Sequence, residues 1–150
     1  MASFLPDTSC MVAAMCTWHE QHDRAGEEIE RRLSRDETMI VAGPALVEAY
    51  AVLTRLPPPH RLAPVDALAL LEANFMALNR IVAPDGKSYR NLLRRAPDDG
   101  IDGGRTYDAV IALCALKARA TVLLTFNESH FQSFAATGLE IVVPGTGKVL

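Results

Sequence analysis

Apolar and polar positions fall in blocks along this chain, and the blocks alternate between two periods. Five short continuous apolar runs, SFLP at 3–6, TMIVA at 38–42, RIVA at 80–83, TVLLT at 121–125 and LEIVV at 139–143, read as strands buried on both faces. Between them the pattern becomes helical. SCMVAAMC follows the first run, and residues 19–33 place Ala25, Ile29 and Leu33 on one helical face. Gly43 and Pro44 open a helix after the second run, PPP at 57–59 breaks the chain, and a further helix is predicted over about 65–78. Residues 87–96 are amphipathic, with Tyr89, Leu92, Leu93 and Ala96 on one side. DDGIDGG is a loop, and helices over 106–118 and near 128–135 complete the series. Strands alternating with helices predict an α/β fold with a parallel sheet covered on both faces.

Three carboxylates interrupt this pattern. Asp7 is the only charge in MASFLPDTSCMVAAMCTW, Glu48 the only one in MIVAGPALVEAYAVLT, and Asp108 the only one in TYDAVIALCAL. Asn127 closes the run ATVLLTFN. A buried carboxylate costs several kcal/mol unless something compensates it, and no Lys or Arg lies within these segments. The predicted order puts Asp7 at the end of the first strand and Asn127 just beyond the fourth. Asp108 falls near a helix start, and Glu48 one turn into the helix after the second strand. Open parallel sheets gather their sites at the carboxyl ends of strands, near a switch in strand order, so all four residues can face one edge. Two carboxylates about 5 Å apart repel by roughly 3 kcal/mol at an effective dielectric near 20, and a cation reverses that sign. Hard oxygen donors suit Mg²⁺ or Mn²⁺, which supports phosphodiester hydrolysis. A structural reading stands beside this one. Asp is favoured where Asp7 and Asp108 fall, at a helix cap or in a first turn; Glu48 lies too deep in its helix to cap it.

Composition narrows the picture. A chain of 150 residues, 49% hydrophobic and 22% charged, fits one globular domain over 1–150 and excludes disorder. A net charge of −3 means that any nucleic-acid contact comes from a local patch. Lys87, Arg90 and Arg94 on one side of the amphipathic helix, with Arg95 and Arg105, are the candidates; a solvated helix face explains them equally well. Cys10, Cys16 and Cys114 are odd in number and sit in apolar surroundings, which predicts reduced core thiols and a cytoplasmic protein. Neither a signal-peptide pattern nor a membrane-spanning stretch is present. His19 and His22 have metal-ligand spacing but no further His or Cys at zinc spacing, so they read as a partly exposed helix end. Trp18 reads as a packing residue, the acids of DDGIDGG as a solvated turn, and Arg55 with PPPHR as a rim or an interface.

FLPDTSCMVAA, PALVEAYAVLTRL, GGRTYDAVIALCAL and LLTFNESHF together resemble the motifs of PIN-domain ribonucleases, specifically the VapC type of bacterial toxin in type II toxin–antitoxin systems. The resemblance covers essentially the whole chain, in order. It implies a three-layer α/β/α domain with a parallel, roughly five-stranded sheet, and cleavage of RNA by metal-activated water. It further implies that Asp7, Glu48 and Asp108 bind Mg²⁺ or Mn²⁺. Asn127 takes a fourth catalytic place, where many relatives carry Asp; the amide leaves that position uncharged, and Glu128 stands beside it. Thr8, Ser9 and Thr125 would orient carboxylates or bound water. The implied partners are an RNA substrate, a second copy in a homodimer, and a cognate VapB-type antitoxin whose Arg reaches the acidic pocket. A phosphatase of the haloacid type would need Asp where Ser9 stands, and a receiver domain lacks its acidic pair and late Lys. The rival from another class is a non-catalytic PIN-like module that binds RNA or protein.

Overall fold

The computed structural model describes residues 2–145. Its first strand, β1 (Ser3–Pro6), is buried along its whole length. Asp7 follows and turns the chain into helix α1 (Thr8–Met15) by accepting the Cys10 N–H at its side chain, a cap of the kind Asp favours. Helix α2 (His22–Ser34) returns to β2 (Thr38–Ala42). Helix α3 (Gly43–Arg55) starts on Pro44, whose missing N–H costs nothing in a first turn. Helix α4 (Pro64–Leu71) leads to β3 (Arg80–Val82), α5 (Gly86–Asp99) and α6 (Arg105–Lys117) pair as a hairpin, and β4 (Val122–Leu124) and β5 (Glu140–Val142) complete the sheet.

All four strand pairings are parallel, in the order β3-β2-β1-β4-β5. From β1 the chain first builds outward through β2 and β3, then crosses back to add β4 and β5 on the other side. Right-handed crossovers in opposite directions place helices on both sheet faces, and the α/β expectation holds. The switch in direction falls between β1 and β4, whose register pairs Pro6 with Leu124. Asp7 and Thr125 are therefore neighbours just past the carboxyl ends of the two central strands. Phe4, Leu5, Val41, Leu123 and Leu124 form the fully buried centre of the core.

Three predicted helices differ in extent. The helix expected over 65–78 ends as α4 at Leu71 and widens into a π-helical turn, Glu72–Met76, that seats Phe75 in the core. The helix expected near 128–135 is a pair of 3₁₀ turns, Glu128–His130 and Gln132–Thr137, hinged on the fully buried Phe131 and ended by Gly138 at φ 91°. Helix α2 begins three residues late because His19 to Gln21 form a turn. In it the His19 ring accepts the Gln21 N–H, and the His22 ring pairs with the Ala13 carbonyl at 2.9 Å. The cysteines behave as expected: all three are buried and unpaired. Burial pushes their thiols up, that of Cys114 to about 11. No helix among the described residues is long and apolar enough to cross a membrane.

Candidate active site

Asp7 is the centre of the site. It is 1% exposed, and three donors hold it. Ser9 Oγ donates to Oδ1 at 2.6 Å, the Cys10 N–H to the same oxygen at 3.0 Å, and Thr125 Oγ1 to Oδ2 at 2.6 Å. The Thr125 bond crosses the switch point. Thr125 in turn accepts the Asn127 N–H at 2.8 Å, and Ser9 accepts the Phe126 N–H at 3.1 Å. The loops after β1 and β4 are thus stitched together through one carboxylate. Capping and site roles coincide in Asp7, because the oxygen that starts α1 belongs to a group with acceptor capacity to spare.

Burial raises the pKa of Asp7 above its ordinary value; the Ser9, Thr125 and Cys10 bonds oppose the rise, and the charge of Asp108 adds to it. Glu48 is raised too, chiefly by burial and then by the charges of Asp108 and Asp7, with Arg55 and Thr8 working weakly against. Asp7 and Glu48 therefore both feel the charge of Asp108. Glu28 shows the alternative treatment of a buried carboxylate: Arg31 and Arg32 both bond to it. Among the described residues no Lys or Arg makes an ion pair with Asp7, Glu48 or Asp108. Asp108, in the first turn of α6, is instead met by His130, whose Nδ1 lies 2.6 Å from Oδ2.

A PIN-domain model matches residues 4–136 of the chain. The chain belongs to the PIN-domain family. Ribonuclease VapC40 of Mycobacterium tuberculosis (strain CDC 1551 / Oshkosh) is 40% identical over 140 residues, which are 91% of this chain and 95% of that protein. Among solved structures, VapBC2 from Rickettsia felis, bound to a DNA fragment from its promoter, superposes with TM-score 0.66. It is 18% identical and covers 95% of this chain and 98% of that one. VapC20 of M. tuberculosis, a sarcin–ricin loop cleaving toxin, superposes with TM-score 0.65 at 15% identity over 90% of this chain and 95% of that one. These likenesses to solved structures establish the fold, the three-layer α/β arrangement expected from sequence.

In this PIN domain the donor chemistry at the switch point fits a hard divalent cation. The acids offer only oxygen, as Mg²⁺ and Mn²⁺ prefer. Three donors on the Asp7 carboxylate leave about one of its four acceptor positions open. The Thr8 hydroxyl is buried without a hydrogen-bond partner, close enough to Glu48 to favour its charged form slightly. As the side chains stand, no three of His, Cys, Asp and Glu among the described residues converge as metal ligands would. Like-charge repulsion favours that separation.

The remaining sequence candidates divide plainly. Asn127 is exposed and contributes its backbone N–H to Thr125, while Glu128 is exposed and accepts from Gln132 at 3.0 Å. Lys87, Arg90, Arg94, Arg95 and Arg105 are all exposed, and Arg95 lies 3.7 Å from Asp99. Trp18 packs face to face on His60, ring centroids 4.0 Å apart. Asp98, Asp99 and Asp102 are solvated. His130 escaped the sequence reading. Its signal was faint: a lone His directly before the buried Phe131, three residues after the Asn of the closing motif.

Proposed function

We propose that the chain is a divalent-metal-dependent endoribonuclease, the toxin of a toxin–antitoxin pair, acting in the cytoplasm as a single domain over 1–150. The observation that carries this reading is the placement of Asp7 and Glu48 within reach of the Asp108 charge at the sheet's switch point, with none of the three acids ion-paired to a Lys or Arg among the described residues. The ribonuclease name of the 40%-identical relative agrees with it.

Asp7, Glu48 and Asp108 would hold Mg²⁺ or Mn²⁺, which when bound neutralises phosphate charge and lowers the pKa of water. The protein's own residues do the rest. Ser9, Cys10 and Thr125 fix the Asp7 carboxylate, so it needs no reorganisation when charge develops nearby. Glu48, raised chiefly by burial and then by its acidic neighbours, is suited to taking a proton at its carboxylate oxygen. The Thr8 hydroxyl, which acts on Glu48, belongs to the same site. Asn127 takes the fourth place as an uncharged group that meets the RNA backbone without adding repulsion. The exposed Val47, Tyr50 and Tyr107 flank Glu48 and Asp108 in sequence. They suit an antitoxin segment of VapB type whose Arg competes with the cation for the acids. A homodimer completes the assembly.

Purified protein incubated with total cellular RNA tests the reading. Discrete fragments are expected with Mg²⁺ or Mn²⁺, and none with EDTA or with Asp7→Asn. The open spacing of the acids is the observation that favours a non-catalytic binding module. Intact RNA with folded, metal-supplied, antitoxin-free protein would establish that module instead.

A further inference from the structure

Asp7 has three hydrogen-bond donors, whereas the donor that reaches Asp108 is the His130 ring. The two residues come from different elements, the first turn of α6 and the 3₁₀ turn Glu128–His130, 22 positions apart. A carboxylate that serves a cation is an acceptor only, so in that role Oδ2 takes its hydrogen from Nδ1. That nitrogen has no lone pair left for a cation. The turn carrying the ring is itself fixed. The His130 N–H bonds to the Asn127 carbonyl at 3.0 Å, the Phe131 N–H bonds to the Glu128 carbonyl at 3.0 Å, and the Phe131 side chain is fully buried. The turn is thus anchored without the imidazole. The imidazole's contact is with the carboxylate.

We propose that His130 is a positioning residue for the metal site: by holding Asp108 through Oδ2 it leaves Oδ1 for a divalent cation shared with Asp7 and Glu48. It touches neither cation nor RNA. The inference rests on the metal-dependent reading above and deepens it, by assigning the orientation of one acid to a residue outside the acidic set. Carboxylates that ligate metal ions are in general held by outer hydrogen-bond partners, and losing such a partner costs about 10- to 100-fold in metal affinity or activity.

Mn²⁺ binding to the full chain, without RNA and at one fixed pH, tests it by titration calorimetry. His130→Ala is expected to weaken Mn²⁺ binding by about 10- to 100-fold, with little change in melting temperature in EDTA. His130→Asn is expected to restore most of the affinity. Its amide nitrogen stands the same two bonds from Cβ as Nδ1 does, and it donates. His130→Gln carries its amide one bond further and is expected to resemble Ala. If Ala destabilises the fold, the comparison of Asn with Gln decides alone. Equal affinity in wild type, Asn and Gln would overturn the inference. So would tighter binding in Ala, which would make the imidazole a competitor of the cation. Wild-type protein that binds no Mn²⁺ would overturn the metal site itself and this inference with it.

Discussion

At the scale of single residues the two fates of buried carboxylate are side by side. Glu28 is neutralised by two arginines, whereas Asp7 has hydroxyl and amide donors but no cation. Hydrogen bonds only partly offset burial there, so its pKa stays raised. Ionised Asp7 therefore weighs against the fold, as functional residues often do. Asp7→Asn keeps an N-cap and an acceptor for the Cys10 N–H while removing the charge. In EDTA the variant is expected to melt higher than wild type by about 2 °C or more, the shift that roughly 1 kcal/mol makes in a domain of this size, although it cleaves no RNA. Thermal denaturation of the two proteins side by side checks this, and a lower melting temperature would refute the cost assigned to the charge. The pH dependence has a definite sign. Both Asp7 and Glu48 are raised in the fold above their ordinary values of 3.8 and 4.5. Between those values and the raised ones the folded chain holds more protons than the unfolded one. Stability from these two groups is thus fully present below the ordinary values and is lost as pH rises through the raised ones. The loss is expected to be smaller in Asp7→Asn.

At the scale of elements, legibility followed burial. The apolar runs at 3–6 and 38–42 are β1 and β2 to the residue, and the other three strand predictions end within one residue of the strands found; burial secures the central strands, whereas β3 and β5, at the sheet edges, are only partly buried. The helix predicted over 65–78 is helical from Pro64 to Met76, but trades α for a π turn at Glu72 to seat Phe75. That choice is made by the core, and periodicity does not record it. The short helix predicted near 128–135 is broken into two 3₁₀ turns for a related reason: the buried Phe131, not a helical stripe, organises them. Helix α5 shows what patterning leaves open. Lys87, Arg90 and Arg94 lie three and four residues apart on one exposed stripe. Lys117, at the end of α6, donates its Nζ to the Ala83 carbonyl just before α5 at 2.9 Å, so the hairpin is antiparallel and Arg94 lies toward the end of α6 that carries Arg105 and Asp108. A stripe leading to the acids suits an RNA backbone. Changing Lys87, Arg90 and Arg94 to Gln in an Asp7→Asn background is expected to weaken single-stranded RNA binding. The dependence of log K on log salt is expected to flatten by about 0.7 for each phosphate that the variant no longer neutralises. Fluorescence anisotropy across a KCl series reads that slope. An unchanged slope would return the stripe to the solvent.

At the scale of the whole molecule the site is a joint between two halves of the sheet. Asp7 and Glu48 come from the half built as β1-β2-β3, while Asp108 and Thr125 come from the half added after the crossover. The sequence order of strands, with the rule that sites gather at a switch, was enough to bring the acids to one edge. It could not show that Asp108 leans on His130, because that contact depends on how the 3₁₀ turn crosses α6. The proposed cation, held across the joint, would be a folding ligand as well as a catalytic one, since the unfolded chain holds these residues far apart. A ligand that binds only the fold stabilises it by about 2.7 kcal/mol at a hundred times its dissociation constant, which is about 5–10 °C for a domain of this size. Melting temperature is therefore expected to climb with the logarithm of Mn²⁺ concentration and to reach that range at saturating metal. Asp7→Asn, already free of the charge that metal relieves, is expected to show almost no climb. Protons compete for the same oxygens, so the rise is also expected to shrink as pH falls through the raised values of Asp7 and Glu48. A melting temperature indifferent to Mn²⁺ at neutral pH would mean that the joint is held by its hydrogen bonds alone, and would remove the cation from the mechanism.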